Sequence, residues 1–328
     1  ASFKSYVLFL TWDPRTSNSK YADNDLYDKI SIKDFIHKCY IETDDYFKEN
    51  RISTRANFAM VIKTIVMISL YIVPFVVILI VPINIFFALG LAVLMGIGIA
   101  GVGMGVMHDA CHGSYSKHQW VNSLLSGTLY LLGSNVLNWK IQHNVLHHTY
   151  TNIHGHDEDL EAGRILRFSK HADWKKYHKF QHLYSVLLYG LLTFNWAITT
   201  DFQQMYRYTK RKLSYGKLPN PVLNWTKLLI TKIIYVTIWI AIPMIFLEVA
   251  WYKILIGFFV MHYVAGLILS VVFQLAHIID HADTPVPNEQ GDMKNTWAIH
   301  QLFTTVNFGT KNRIINWFTG GLNHQVEH

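Results

Sequence analysis

The stretch INIFFALGLAVLMGIGIAGVGMGVM, residues 83–107, contains no charged side chain and runs directly into HDACH, residues 108–112. A helix needs about 20 apolar residues to cross the hydrocarbon core of a bilayer, which is about 30 Å thick. Residues 83–107 exceed that length and therefore predict a membrane-spanning helix with two histidines at its end. Glycines recur along this helix from Gly90 onward and permit the close approach of neighbouring helices.

Four segments of the chain are apolar and long enough to cross a bilayer. They are residues 59–81, 83–107, 228–247 and 251–275. Lys63 and Lys232 interrupt two of the segments, and Lys253 lies at the edge of the last. The first two segments are joined by a turn of a few residues, and so are the last two. The sequence therefore predicts two transmembrane hairpins.

A weaker apolar run at residues 183–199 contains Gly190 and Asn195, and we interpret it as an interfacial helix. If this run were a fifth span, the residues before it and the residues after it would lie on opposite sides of the membrane. Residues 1–58 carry nine Lys and Arg and residues 108–225 carry thirteen, whereas the turns within the hairpins carry one at most. The positive-inside rule therefore predicts four spans, with both termini and residues 108–225 on the cytoplasmic side. The membrane would be the endoplasmic reticulum or a bacterial inner membrane.

The composition excludes several classes of protein. With 51% hydrophobic and 16% charged residues, the chain has too few charges for an ordinary soluble surface. Two cysteines exclude a disulfide scaffold. The net charge of +7 comes largely from basic residues that flank the predicted spans, so we expect no nucleic-acid partner. Residues 1–58 predict a polar cytoplasmic lead-in, and residues 59–328 predict a single membrane domain.

Many of the eighteen histidines are clustered at the predicted cytoplasmic ends of the spans. In a helix, residues four apart project from the same face, so His108 can share a metal with His112, and His143 with His147. His148 is then turned by about 100° toward a second metal. Imidazole binds Fe, Zn, Cu or Ni, so ligand chemistry alone leaves the metal open. Clusters on one membrane face nevertheless predict one metal centre where the helices meet water.

The motifs HDACHGSYS, NWKIQHNVLHHTYTN and WFTGGLNHQVEH resemble the three histidine boxes of the membrane fatty acid desaturases. The resemblance is to the branch of linoleoyl-CoA and front-end acyl desaturases, and it extends from about Tyr46 to the last residue. It implies two iron ions and O2 as co-substrate for removing two hydrogens from an acyl chain. With the predicted spans, we expect an all-α membrane protein with four transmembrane helices in two hairpins and a cytoplasmic helical cap that carries the boxes.

Carried over residue by residue, the resemblance assigns seven metal ligands. They are His108, His112, His143, His147, His148, His277 and His328. The third box of this branch is Gln-x-x-His-His, so Gln325 and His328 match it and the chain stops before the last histidine. We therefore expect the chain to be truncated within this box. Five further residues are expected to bind the metal or to orient its ligands: Gln325, His324, Asp109, Asp157 and Asp159.

The substrate and the electron donor are less closely specified. The resemblance implies an acyl-CoA or acyl-lipid in the bilayer. The chain lacks the His-Pro-Gly-Gly haem motif of a fused cytochrome domain, so we expect a separate cytochrome b5-type or ferredoxin carrier. Arg164, Arg167 and Lys170 are candidates for binding the substrate head group, although the positive-inside rule also explains them. Two alternatives are a membrane di-iron fatty acid hydroxylase or alkane monooxygenase, and a histidine-lined metal transporter.

Overall fold

The computed structural model describes residues 29–328 except 161, 162, 164, 217–219 and 281, and it leaves out the side chains of residues 29–36 and 327. The chain divides into two units, Ala1–Asn57 and Phe58–His328. The described part of the first unit contains one helix, Lys29–Glu49, which ends with ion pairs such as Lys48 to Asp44 at 3.5 Å. The first 28 residues of the predicted lead-in lie outside the described residues.

The described part of the second unit is helical, and four of its helices are long and apolar enough to cross a membrane. In chain order, the first to fourth spans are Phe58–Ile80, Ile85–Cys111, Pro221–Phe246 and Trp251–His277. The shorter helices are Gln119–Ser126, Thr128–Leu131, Val136–Lys140, His148–Tyr150, Gln181–Tyr189, Leu192–Asn195, Asp201–Lys210, Trp297–Thr304 and Arg313–Thr319. π-Helical turns lie at Gly103–Met107, Ile141–His147, Trp196–Thr200 and Thr237–Ala241.

Local capping explains where two of the spans begin. The Asn84 side chain accepts a hydrogen bond from the Phe87 N–H at 2.9 Å, which starts the second span directly after the turn. Asn220 caps the third span in the same way, and Pro221 takes the first helical position. The third span therefore begins seven residues before the apolar run at 228–247 that predicted it. The second span continues to Cys111 and carries His108 within its helix.

Glycines bring the spans into close contact, as the sequence predicts. A Cβ atom at Gly98 would lie 2.7 Å from the backbone nitrogen of Tyr71 in the first span. At Gly96 it would lie 2.6 Å from the carbonyl oxygen of Met261 in the fourth span. The second span is therefore packed backbone to backbone against both neighbours, which is how helices associate in lipid without a hydrophobic driving force between them.

The segment predicted as an interfacial helix at 183–199 is broken in two. Lys176–Tyr189 and Leu192–Lys210 are bent by 64° relative to each other. Gly190 lies at the break, against the ring of Tyr263 in the fourth span, where any side chain would collide. Beyond the break, Thr193 is buried and donates a hydrogen bond to the His262 carbonyl at 2.8 Å. Close packing on the fourth span therefore separates the helix before Gly190 from the one after it.

Two polar side chains inside the spans, those of Lys232 and His262, are paired by this packing. The ammonium of Lys232 lies 2.7 Å from a carboxylate oxygen of the fully buried Asp201 and donates to the carbonyls of Gly133 and Trp196. His262, in the middle of the fourth span, has partners at both ring nitrogens, the hydroxyls of Thr193 and Tyr235. Charged and polar residues at such depth are tolerated when they are paired within the bundle.

Candidate metal centre

The first box lies at the end of the second span. Its π-helical turn, Gly103–Met107, leads into a last helical turn that contains His108, and His112 is the C-cap. The two imidazole rings have their centroids 4.7 Å apart. Trp139, the flanking residue of the second box, lies edge-on to both rings at 5.6 and 6.0 Å. The i, i+4 pair of the sequence analysis is therefore present and is held against the second box.

The second box begins on a helix that Asn135 caps, with its side chain accepting from the backbone N–H groups of Leu137 and Asn138. From Ile141 to His147 the helix is π-helical, with i to i+5 hydrogen bonds that change the angle between successive side chains. His148 consequently lies beside the first box, 4.9 Å from His112 between ring centroids. His147 lies 4.7 Å from His277 at the end of the fourth span.

The sequence predicts that His143 and His147 share a metal and that His148 faces another. Among the described residues, His108, His112, His143 and His328 place one ligand atom each within 4.8 Å of the others. His143 also belongs to a second such group, with His147 and Asp159. His143 therefore lies between two adjacent sites. His143 and His147 are thus close enough to share a metal, and His148 is turned toward the first box.

The third box approaches from the other side of the cluster. Helix Arg313–Thr319 ends at Gly320, whose φ of 72° reverses the chain in a conformation that favours glycine. Asn323 is buried and donates to the Phe308 carbonyl at 3.1 Å, which fixes the turn. The ring of His328 then lies 4.6 Å from that of His108, and Gln325 Oε1 lies 3.2 Å from His277 Nε2.

The remaining residues predicted to contact the metal or the substrate head group differ in how they relate to the histidine cluster. The Asp109 carboxylate lies 3.5 Å from His108 Nδ1. Neither group of close ligand atoms in the described part of the chain includes His324. Arg164 lies outside the described residues. Arg167 donates from Nε to the Ala172 carbonyl at 2.8 Å and so forms part of its own loop, whereas Lys170 is exposed.

The imidazole nitrogens of the histidine cluster fit a bound metal. His112 Nε2, His148 Nε2 and His277 Nδ1 are buried and have no hydrogen-bond partner among the described residues. Buried polar atoms are nearly always satisfied, so several imidazole nitrogens without a hydrogen-bond partner in one place fit a site that binds a cation. Burial, with the neighbouring histidines adding to it, lowers the pKa of His112 to about 2 and that of His148 to about 3. Both rings are therefore neutral at pH 7, which is the form that binds metal.

Two carboxylates orient His147. Its Nδ1 lies 3.0 Å from Asp157 Oδ2 and 3.4 Å from Asp159 Oδ2. Burial disfavours the charged form of His147, but the carboxylates outweigh burial and raise its pKa to about 9. Asp157 is itself held by the backbone N–H groups of Asn152 and Asp159. Since Nδ1 is engaged by carboxylates, Nε2 is the nitrogen left to face a metal.

Asp159 and Glu158 connect this site to a neighbouring helix. Asp159 accepts a hydrogen bond from Gln142, and burial raises the pKa of Asp159 to about 6. Glu158 points the other way, with Arg207 at 2.9 Å and the Tyr208 hydroxyl at 2.7 Å. The carboxylates of Asp157 and Asp159 therefore face His147, and that of Glu158 binds helix Asp201–Lys210.

The residues that join the boxes to one another were not predicted from the sequence. Asn152 is fully buried, and its amide group donates to the carbonyls of His277, Thr304 and Asp283 at 2.8, 3.0 and 3.2 Å. Trp297 Nε1 donates to the His148 carbonyl at 2.9 Å. His300 Nε2 hydrogen-bonds to the Thr151 carbonyl, and the Gln301 amide donates to the Thr151 hydroxyl. Asn152 flanks the second box in the motif, but helix Trp297–Thr304 carries no comparable signal.

The chain matches the family model described as fatty acid desaturase over residues 83–328. It is 35% identical to the sn-1 linoleoyl-lipid 6-desaturase of Arthrospira platensis, in an alignment covering 86% of this chain and 76% of the relative. It is 32% identical to the protein of the same name from Synechocystis sp., with 87% and 79% covered.

A third relative is the acyl-lipid (8-3)-desaturase of Physcomitrium patens, at 27% identity with 96% of this chain and 66% of the relative covered. No solved structure matches the chain at a significant level. The family match covers the second, third and fourth spans and all three boxes. The chain therefore belongs to the fatty acid desaturase family, in the branch of the linoleoyl-lipid and front-end desaturases, and is an acyl desaturase.

Proposed function

We propose that the chain inserts a double bond into a linoleoyl-type acyl chain that is esterified to a membrane lipid. The names of the two bacterial relatives support a lipid-linked substrate and the sixth carbon as the reaction position. The observation that carries the proposal is the convergence of seven histidines from four separate segments on one cluster.

We assign the ligands to two irons. His108, His112, His143 and His328 would hold one iron, with His148 beside them. His147 and His277 would hold the other, with Gln325 as an oxygen ligand. Bound there, the pair of irons would supply O2 activation for removing two hydrogen atoms from the acyl chain, a reaction that also consumes two electrons and two protons. Histidine ligands leave the site less anionic than carboxylates would.

The protein's own residues position these ligands. Asp157 and Asp159 hold His147 by Nδ1, and Trp139 packs against the rings of His108 and His112.

The acyl tail already belongs to the apolar phase, so its passage among the spans toward the cluster requires little desolvation. The distribution of Lys and Arg supports a cytoplasmic site, where a separate cytochrome b5-type protein or ferredoxin would deliver the electrons.

The test is expression in a host that makes no polyunsaturated acyl chains of its own and is supplied with linoleate. We expect a new product lighter than the substrate by two hydrogens, with the double bond at the sixth carbon and in the lipid fraction. A product heavier by one oxygen atom would instead support the hydroxylase alternative. His147→Ala is the matched control, expected to insert into the membrane and to give no product. Desaturation by that variant would refute the ligand assignment.

A further inference from the structure

Lys63 in the first span is a buried lysine without a partner in the described part of the chain. Only 3% of the residue is exposed, and its ammonium has no hydrogen-bond partner among the described residues. Lys232, which is also buried in a span, lies 2.7 Å from the Asp201 carboxylate and donates to backbone carbonyls. Because an isolated buried ammonium is costly, the partner of Lys63 is expected from outside the chain.

The Lys63 ammonium occupies a space that two glycines leave open. A Cβ atom at Gly105 would collide with Lys63 Nζ, and one at Gly320 would lie 2.6 Å from it. Gly105 belongs to the π-helical turn before the first box, and Gly320 is the C-cap of helix Arg313–Thr319, which leads into the third box. The ammonium therefore lies where the first span meets the first and third boxes.

Lys63 lies close to the start of its span but does not point toward water. It is the sixth residue of Phe58–Ile80, about 8 Å from the start of the helix at about 1.5 Å per residue. Lysines near the end of a membrane helix ordinarily extend to the interface and keep the ammonium hydrated. The Asp109 carboxylate faces His108 Nδ1 at 3.5 Å and gives Lys63 no hydrogen bond. The positive-inside rule accounts for a lysine at this end of the span but not for its inward orientation.

The position of Lys63 matches one oxygen atom of the proposed substrate. Gly105, beside the ammonium, precedes His108 by three residues, which is about one helical turn or about 5 Å. In an acyl chain the sixth carbon is five bonds from the carbonyl carbon, which is about 6 Å at about 1.2 Å per bond of an extended chain. A substrate whose sixth carbon lies at the histidine cluster would therefore place its ester carbonyl at about the level of Lys63.

We propose that Lys63 binds the carbonyl oxygen of the acyl ester and so fixes which carbon of the chain reaches the histidine cluster. The ammonium donates a hydrogen bond to that oxygen. A lysine used in this way has no partner within the chain, because its partner belongs to the substrate. The inference rests on the proposed function, since it takes the sixth carbon as the position of reaction. The head-group phosphate lies beyond the glycerol and therefore farther from the cluster than the carbonyl.

The first test separates a binding role of Lys63 from a structural one. Lys63→Met keeps the length of the side chain and removes the charge, and Lys232→Met is the matched control. We expect Lys63→Met to keep its free energy of unfolding in detergent and its iron content, because no contact within the chain is lost. Lys232→Met should be destabilised, since its ammonium is paired with Asp201. A loss of stability in Lys63→Met as large as that in Lys232→Met would overturn the proposal.

The second test is a double-mutant cycle between Lys63 and the carbonyl group. One substrate is a phospholipid with a linoleoyl ester at sn-1, and the other is its ether analogue, in which a CH2 group replaces the carbonyl. Both carry the same phosphate head group and are offered to the full chain in nanodiscs. In the unaltered protein, kcat/KM for the ester should exceed that for the ether by about 10- to 100-fold, as expected for a hydrogen bond to a charged group. In Lys63→Met this ratio should fall close to one.

The contrary results have distinct meanings. An equal loss on both substrates in Lys63→Met would overturn the proposal and assign the ammonium to the phosphate. Product with the double bond only at the sixth carbon in Lys63→Met would contradict its role in fixing the position, because we expect neighbouring carbons to react as well. Displacement of a radiolabelled linoleoyl lipid by each substrate gives the same comparison for binding alone. If the unaltered protein desaturated neither lipid, the proposed function would fail, while the binding comparison would still test Lys63.

Discussion

Asn152 allows the most detailed prediction, because one side chain joins the second box to His277 and to helix Trp297–Thr304. Its amide group has two hydrogens for three carbonyl oxygens, so at most two full hydrogen bonds are lost in Asn152→Ala. At about 0.5–1.5 kcal/mol each, that loss is about 1–3 kcal/mol. The residue also has a φ of 59°, which costs alanine about 1–2 kcal/mol. We expect the free energy of unfolding to fall by about 2–5 kcal/mol.

Two matched variants separate these contributions. Asn152→Gly removes the same hydrogen bonds but tolerates the backbone conformation, so it should be less destabilising than Asn152→Ala by about 1 kcal/mol. Asn152→Asp keeps the shape and replaces the donor by a carboxylate that faces three carbonyl oxygens, so it should be at least as damaging as alanine. The assay is denaturant unfolding of the purified protein in detergent, with iron content measured on the same samples. Unchanged stability and iron content in Asn152→Ala would refute the role assigned to this network.

The other predictions concern orientation, packing and charge. Asp157→Asn removes the carboxylate that holds His147, and iron affinity and desaturation should fall by about 10–100-fold, measured by metal titration and product formation. Gly98→Ala places a Cβ against the backbone of the first span and should destabilise by about 1–3 kcal/mol, whereas Gly90→Ala, with nothing within 4 Å, should not. Lys232→Met leaves the buried Asp201 unpaired and should lower the free energy of unfolding by about 3–5 kcal/mol. The double variant with Asp201→Asn should restore most of that loss. Equal thermal stability of the single and double variants would contradict the pairing.

Local patterns predicted the spans and the boxes well. Apolar length located four segments, and the second of them, residues 83–107, is found within Ile85–Cys111. The positions of histidines along the chain also identified most of the cluster. Both features follow from short-range sequence, since the length of an apolar run and the spacing within a motif need no knowledge of distant residues.

The spacing within the second box also agrees with how its histidines lie. His143 and His147, four residues apart, offer ligand atoms within 4.8 Å of each other and of Asp159, and His148 is turned toward the first box. The box alone could not predict that His147 lies 4.7 Å from His277 between ring centroids, since that contact joins distant parts of the chain. The π-helical turn Ile141–His147 was not predicted either.

Long-range contacts account for the rest. The break at Gly190 depends on the ring of Tyr263, far along the chain, and Lys232 is neutralised by Asp201 from another helix. Asn152 contacts carbonyls more than a hundred residues away. Each of these residues has an ordinary local context, so only the folded chain reveals its role.

The central claim is that the histidines of the three boxes, together with His277, hold two irons. The most direct measurement is the metal content per chain of the purified protein, determined by inductively coupled plasma mass spectrometry alongside the His147→Ala variant. We predict two irons per chain with little zinc, and a clear loss of iron in the variant, because imidazoles from all the boxes converge on adjacent sites. One zinc and no iron in protein with every ligand histidine intact would contradict the account.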